Sequence, residues 1–66
     1  MNDQPAEKLW AAMKRMAACE KGTLTFKQAV DRVRTIAYRE AGTEIPEPAL
    51  SFYAEEYVAM VTKHRP

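Results

Sequence analysis

The stretch GTLTFKQAVDRVRTIAYREAG, Gly22 to Gly42, decides the fold. Thr25 stands three residues before Gln28, the spacing of a capping box: the threonine hydroxyl accepts from the Gln28 N–H, and the glutamine side chain reaches back to the N–H of Thr25. Leu24, just outside, is placed to staple onto Ala29. Beyond the cap, Phe26, Ala29, Val30, Val33, Ile36, Ala37 and Ala41 fall within an arc of roughly 140° at 3.6 residues per turn, so the segment is an amphipathic helix over about 26–41. Gly42 closes it, because a helix commonly ends on a left-handed residue and glycine enters that conformation without a steric penalty.

Gly22, the other of the two glycines in the chain, follows another periodic stretch. A first helix over about 4–20 is expected there, starting near Asp3 with Pro5 in its first turn, where a missing N–H costs nothing. Ala6, Leu9, Trp10, Met13, Met16 and Ala17 form its apolar face, with Ala12 and Cys19 at the edge and Lys8, Lys14 and Arg15 opposite. Trp10 reads as a core anchor, Met13 and Met16 as gap-fillers. A connection as short as Gly22–Leu24 makes the first two helices antiparallel.

After Gly42, Ile45 and Glu47 each precede a proline and are pushed toward extended geometry, which ends the second helix and leaves Ile45 to plug the end of the bundle. A third helix over about 47–63 starts at the prolines, with Glu47 near its positive end and Lys63, His64 and Arg65 near its negative end. Its inward face reads Leu50, Tyr53, Ala54, Tyr57, Val58, Met60 and Val61. No stretch alternates apolar and polar residues long enough for a strand. The expected class is all-α, a small three-helix bundle forming a single domain over residues 1–66.

A chain of 66 residues buries only about 60% of the surface its unfolded form exposes, so its core is marginal. Cys19, the single cysteine, excludes a disulfide framework and fits a reducing, cytoplasmic setting. Charged residues interrupt every apolar run, so neither a signal peptide nor a membrane span is expected. A membrane-surface role for the first helix competes with the bundle for the same apolar face. The net charge is +1 but unevenly spread: residues 1–22 carry +1, residues 23–41 carry +2 and residues 42–66 carry −2.

The residues available for chemistry are few. There is one serine, one cysteine and one histidine, and Ser51 and His64 lie about 20 Å apart along one helix. Cys19 and His64 lack the short ligand spacing of a zinc site. Glu55 and Glu56 are adjacent and diverge by about 100° on a helix. Two glycines twenty residues apart build no phosphate loop. Neither an enzyme, a metal site nor a cofactor is expected.

Two surfaces remain. Lys27, Gln28, Arg32, Arg34 and Arg39, with Tyr38 among them, lie on the solvent side of the second helix and could meet nucleic acid, although Asp31 sits in the patch and the third helix presents Glu47, Glu55 and Glu56. On the third helix, Phe52 and Ala59 project away from the inward face, flanked by Glu55, Glu56 and Lys63. An aromatic so placed suits the centre of a protein interface. The partner is either another protein or a second copy, paired antiparallel as a homodimer with Phe52 and Ala59 at its centre and Lys63 near the glutamates. The expected function is a non-catalytic interaction module, a small regulator, adaptor or inhibitor that docks on a larger protein. The alternatives are a nucleic-acid-binding regulator reading through the second helix and a structural subunit of a larger assembly.

Overall fold

The structure, a computed structural model, describes residues 5–63. It is an all-α three-helix bundle: α1 spans Pro5–Ala17, α2 Phe26–Ile36 and α3 Glu47–Lys63, and α2 runs directly into a π-helical turn over Ala37–Ala41. Asp3, His64 and Arg65, assigned above to helix ends, and the side chain of Ala6 lie outside the described residues.

The capping box forms as read. The Gln28 N–H donates to the Thr25 hydroxyl at 3.1 Å and the Thr25 N–H donates to the Gln28 side chain at 3.0 Å. At the far end Gly42 adopts φ +63, and its N–H donates to the Ala37 carbonyl. The Thr43 N–H donates to the same carbonyl at 3.1 Å. The expected helix over 26–41 is therefore continuous, but its last turn is widened into i→i+5 hydrogen bonds, a rare form that tends to occur at functional positions.

The first helix is shorter than the periodicity suggests. After Ala17, the N–H groups of Cys19 and Glu20 donate three residues back, to Met16 and Ala17, which tightens the chain into a turn. Gly22 is left-handed at φ +79, as expected of a glycine near a helix end, but it sits in the connection rather than on the cap. The connection thus covers residues 18–25, not Gly22–Leu24, and Leu24 turns inward to join the core.

This longer connection shifts α1 toward the C-terminal end of α2. There α1 rests more on the π-helical turn than on α2 itself, and Arg15 reaches Glu40 at 3.2 Å. Two expected core residues lie outside the core. Phe26, in the first turn of α2, is 47% exposed, and Met16, at the end of α1, is 43% exposed. Ala12, placed at the edge of the stripe, is buried instead, while Cys19 is exposed.

The core contains Leu9, Met13, Leu24, Val33, Ile36, Leu50, Tyr57 and Val61, with Ala12, Ala17, Ala29, Ala37 and Ala54 filling the close approaches between helices. Its largest fully buried side chain is Tyr57. Trp10, read as the anchor, packs only partly buried against this cluster, as do Val30, Ala41, Ile45, Tyr53, Val58 and Met60. Ile45 packs partly buried against the core and lines a hollow with Leu9, Ala49 and Tyr53.

A buried tyrosine hydroxyl needs a partner. Tyr57 donates to Glu20 Oε2 at 2.8 Å, and Arg32 Nε donates to the same oxygen at 2.8 Å. The turn after α1 is thereby tied to both α2 and α3. Burial first, and then the hydrogen bond to Glu20, hold the Tyr57 hydroxyl well above the ordinary tyrosine range; the hydrogen bond to Glu20 likewise raises Arg32. No buried side-chain polar atom among the described residues lacks a partner.

Candidate functional site

α3 packs most extensively on α2, which leaves its seam with α1 shallow. Along that seam three aromatic rings meet edge to face. Trp10 and Tyr53 have centroids 5.9 Å apart at 62°, and Tyr53 and Phe52 are 5.5 Å apart at 70°. The row exists because α1 and α3 lie side by side with Trp10 beside Tyr53, while Phe52, the residue before Tyr53, is turned outward by about 100°. Phe52 is 55% exposed. Such pairs contribute about 0.5–1.5 kcal/mol each beyond the area they bury, so the rings hold one another in place before any partner arrives.

Phe52 is therefore not isolated on the outer side of α3, as its spacing alone suggests. It forms one wall of a groove whose other walls are Glu7, Trp10, Ala11, Lys14 and Tyr53. A second hollow continues the groove past Ala11 and Lys14, between Arg15, Met60 and Lys63. Of the five residues assigned to this surface, the structure brings Phe52 and Lys63 to the groove; Ala59 and Glu55 are exposed and Glu56 is half-buried, and none of these three lines it. Sequence reading missed the α1 wall, because Trp10 was assigned wholly to the core. Its spacing offered one signal: Trp10 lies at the border of the Leu9–Met13–Ala17 stripe.

The groove has a charge gradient. Glu7 stands at one end, by the aromatic row, and Lys14, Arg15 and Lys63 stand toward the other. Arg15 is already engaged with Glu40, an exposed pair of a kind that contributes about 0–1 kcal/mol.

The six residues assigned to the second helix's outer surface divide into two groups. Gln28 is held in the capping box and Arg32 by Glu20, so neither projects freely. Arg34, Tyr38 and Arg39 gather in a separate groove against the 43–45 segment, together with Thr35, Thr43, Glu44 and Ile45. Lys27 is exposed in the first turn of α2 and lines neither groove. Arg34 also comes within 4.0 Å of Asp31, where both side chains are well exposed.

No group of three or more histidine, cysteine, aspartate or glutamate side chains among the described residues is placed to hold a metal. No helix among them is long and apolar enough to cross a membrane. Comparison with protein-family models, with curated proteins and with solved structures found no match.

Proposed function

We propose that this chain is a non-catalytic interaction module, a small regulator, adaptor or inhibitor that docks on a larger protein through the α1–α3 groove. The observation that carries this reading is the row Trp10–Tyr53–Phe52, three pre-positioned rings with the outermost more than half exposed. Aromatic anchors fixed in advance lose little side-chain freedom on binding, and they concentrate interface energy. The fitting partner presents an apolar ridge to Phe52 and acidic groups toward Lys14 and Lys63.

A second copy paired antiparallel through the outer side of α3 fits less well than a foreign chain. In an antiparallel pair about a two-fold axis, opposing residue numbers have a constant sum. The register that sets Phe52 against Ala59 of the mate also sets Glu55 against its Glu56, so like charges meet at the centre and cost rather than stabilise. A foreign partner carries no such constraint.

The test is comparative capture from the native host with wild-type protein and Phe52→Glu, both confirmed folded by circular dichroism. A partner recovered with wild type and lost with Phe52→Glu supports the proposal. A partner retained equally by both moves the interface off this groove.

A further inference from the structure

The groove at the end of α2 is of a different kind. It combines two arginines, Arg34 and Arg39, two threonines, Thr35 and Thr43, one glutamate, Glu44, and Tyr38, which is 69% exposed, the highest exposure of any large apolar residue in the described chain. It shares no residue with the α1–α3 groove. We infer that this groove binds single-stranded nucleic acid, with a base on the face of Tyr38 and the adjoining phosphates at Arg34 and Arg39.

Three observations on the groove lead there. First, Arg34 and Tyr38 are four residues apart, as are Thr35 and Arg39, so cation, ring and hydroxyl lie on one strip of helix surface. A sequence-tolerant single-strand site needs this combination: a π-face for stacking beside positive charge that follows the backbone. Second, Tyr38 and Arg39 lie within the π-helical turn, whose wider winding is fixed from behind by the Gly42 and Thr43 N–H groups on the Ala37 carbonyl. These two backbone hydrogen bonds close the turn that carries Tyr38 and Arg39. Third, Glu44 on the facing wall repels a bare anion but can accept from the exocyclic amino group of a base. The wall therefore suits a phosphate that arrives with its base better than inorganic phosphate.

Duplex reading by α2 is poorly served. Arg32 and Gln28, which would have to reach base edges from the N-terminal half of the helix, are already engaged with Glu20 and Thr25. At the far end Arg34 has only its 4.0 Å contact with the exposed Asp31, an ion pair of the kind that contributes about 0–1 kcal/mol, and with Tyr38 and Arg39 it forms a short cluster suited to phosphate contact with stacking.

Fluorescence anisotropy with short labelled oligo(dA), oligo(dT) and a duplex, using the whole chain, tests the inference. Expected is binding of the single strands at low salt, tighter for oligo(dA), with log Kobs falling against log salt at a slope of about −1.4 for two neutralised phosphates. Tyr38→Ala should weaken it by about fivefold or more while Tyr38→Phe retains it, because the ring and not the hydroxyl stacks. Arg34→Ala and Arg39→Ala should each weaken it, Lys27→Ala should leave it unchanged, and inorganic phosphate should compete poorly. The inference is overturned if no single strand binds at low salt, if the duplex binds as tightly as the single strands, or if binding depends on Lys27 as much as on Tyr38, which would indicate a diffuse basic surface. Tyr38 lies outside the core, so its variants report on binding rather than folding, with circular dichroism as the check.

Discussion

The Tyr57 hydroxyl donates to Glu20 at 2.8 Å across 37 positions of sequence, and this contact ties the turn after α1 to the centre of α3. The glutamate side chain is only 13% exposed and is shared with Arg32. A buried hydrogen bond to a charged acceptor contributes about 1.5–3 kcal/mol. Tyr57→Phe should therefore lower stability by about 1–3 kcal/mol in urea titration, and Glu20→Gln by a similar amount; the double variant should cost clearly less than the sum. Strictly additive losses would show that the two groups do not act on each other.

The same contact makes stability depend on alkaline pH. Tyr57 is held above its ordinary value of 10.0 by burial and by Glu20, so the folded state retains a proton that the unfolded chain releases. Its contribution is fully present below a pH of about 10 and is lost as pH rises toward the folded value. The stability advantage of wild type over Tyr57→Phe should accordingly shrink above pH ~10. A gap that stays constant through that range contradicts the assignment.

Val33 and Phe26 share the apolar arc of the second helix but not its fate: Val33 has no exposed surface, whereas Phe26 is about half exposed. Val33→Asp should unfold the protein, since an unpaired buried charge costs several kcal/mol in a domain with little to spare. Phe26→Asp should cost under about 1 kcal/mol, because the position is open and a carboxylate in a first turn is favoured. Thermal melts of the pair decide it, and equal loss in both would return Phe26 to the core.

Gly42 provides a test of backbone conformation alone. A Cβ built on it meets nothing within 4 Å, but φ is +63, so Gly42→Ala should cost about 1–2 kcal/mol with no steric clash to explain it. Thr25→Ala at the opposite end of the helix should cost about 1 kcal/mol through loss of the cap. Chemical denaturation of both variants measures the two helix ends separately.

Phe52→Glu should leave the fold intact, because Phe52 lies at the rim of its groove. At tens of micromolar, wild-type protein should sediment as a monomer, given the clash of Glu55 with Glu56 in the symmetric register. A wild-type dimer that dissociates in Phe52→Glu would instead make the second copy the occupant of the α1–α3 groove.

Three helices, the capping box at Thr25 and Gln28, and the left-handed Gly42 were legible in the sequence, because each rests on interactions within a few residues: periodicity, a side chain reaching one turn, a backbone conformation only glycine enters freely. The length of the first connection was not legible. The apolar stripe of α1 ends at Ala17, but local signals did not say that the helix stops there instead of running on to Glu20, whose carboxylate is held by Arg32 and Tyr57. Also not legible were the exposure of Phe26 and Met16, the burial of Ala12, and the place of Tyr57 rather than Trp10 among the fully buried side chains. Phe52 was legible as an outward aromatic, but its ring partners come from placing α1 beside α3; Arg34, Tyr38 and Arg39 were legible as a surface, but their separation from Arg32 and Gln28 comes from who else claims those side chains. Sequence specifies what a helix face contains. Tertiary packing decides how far one helix slides along another, because that sliding is set by long-range contacts that no local periodicity records.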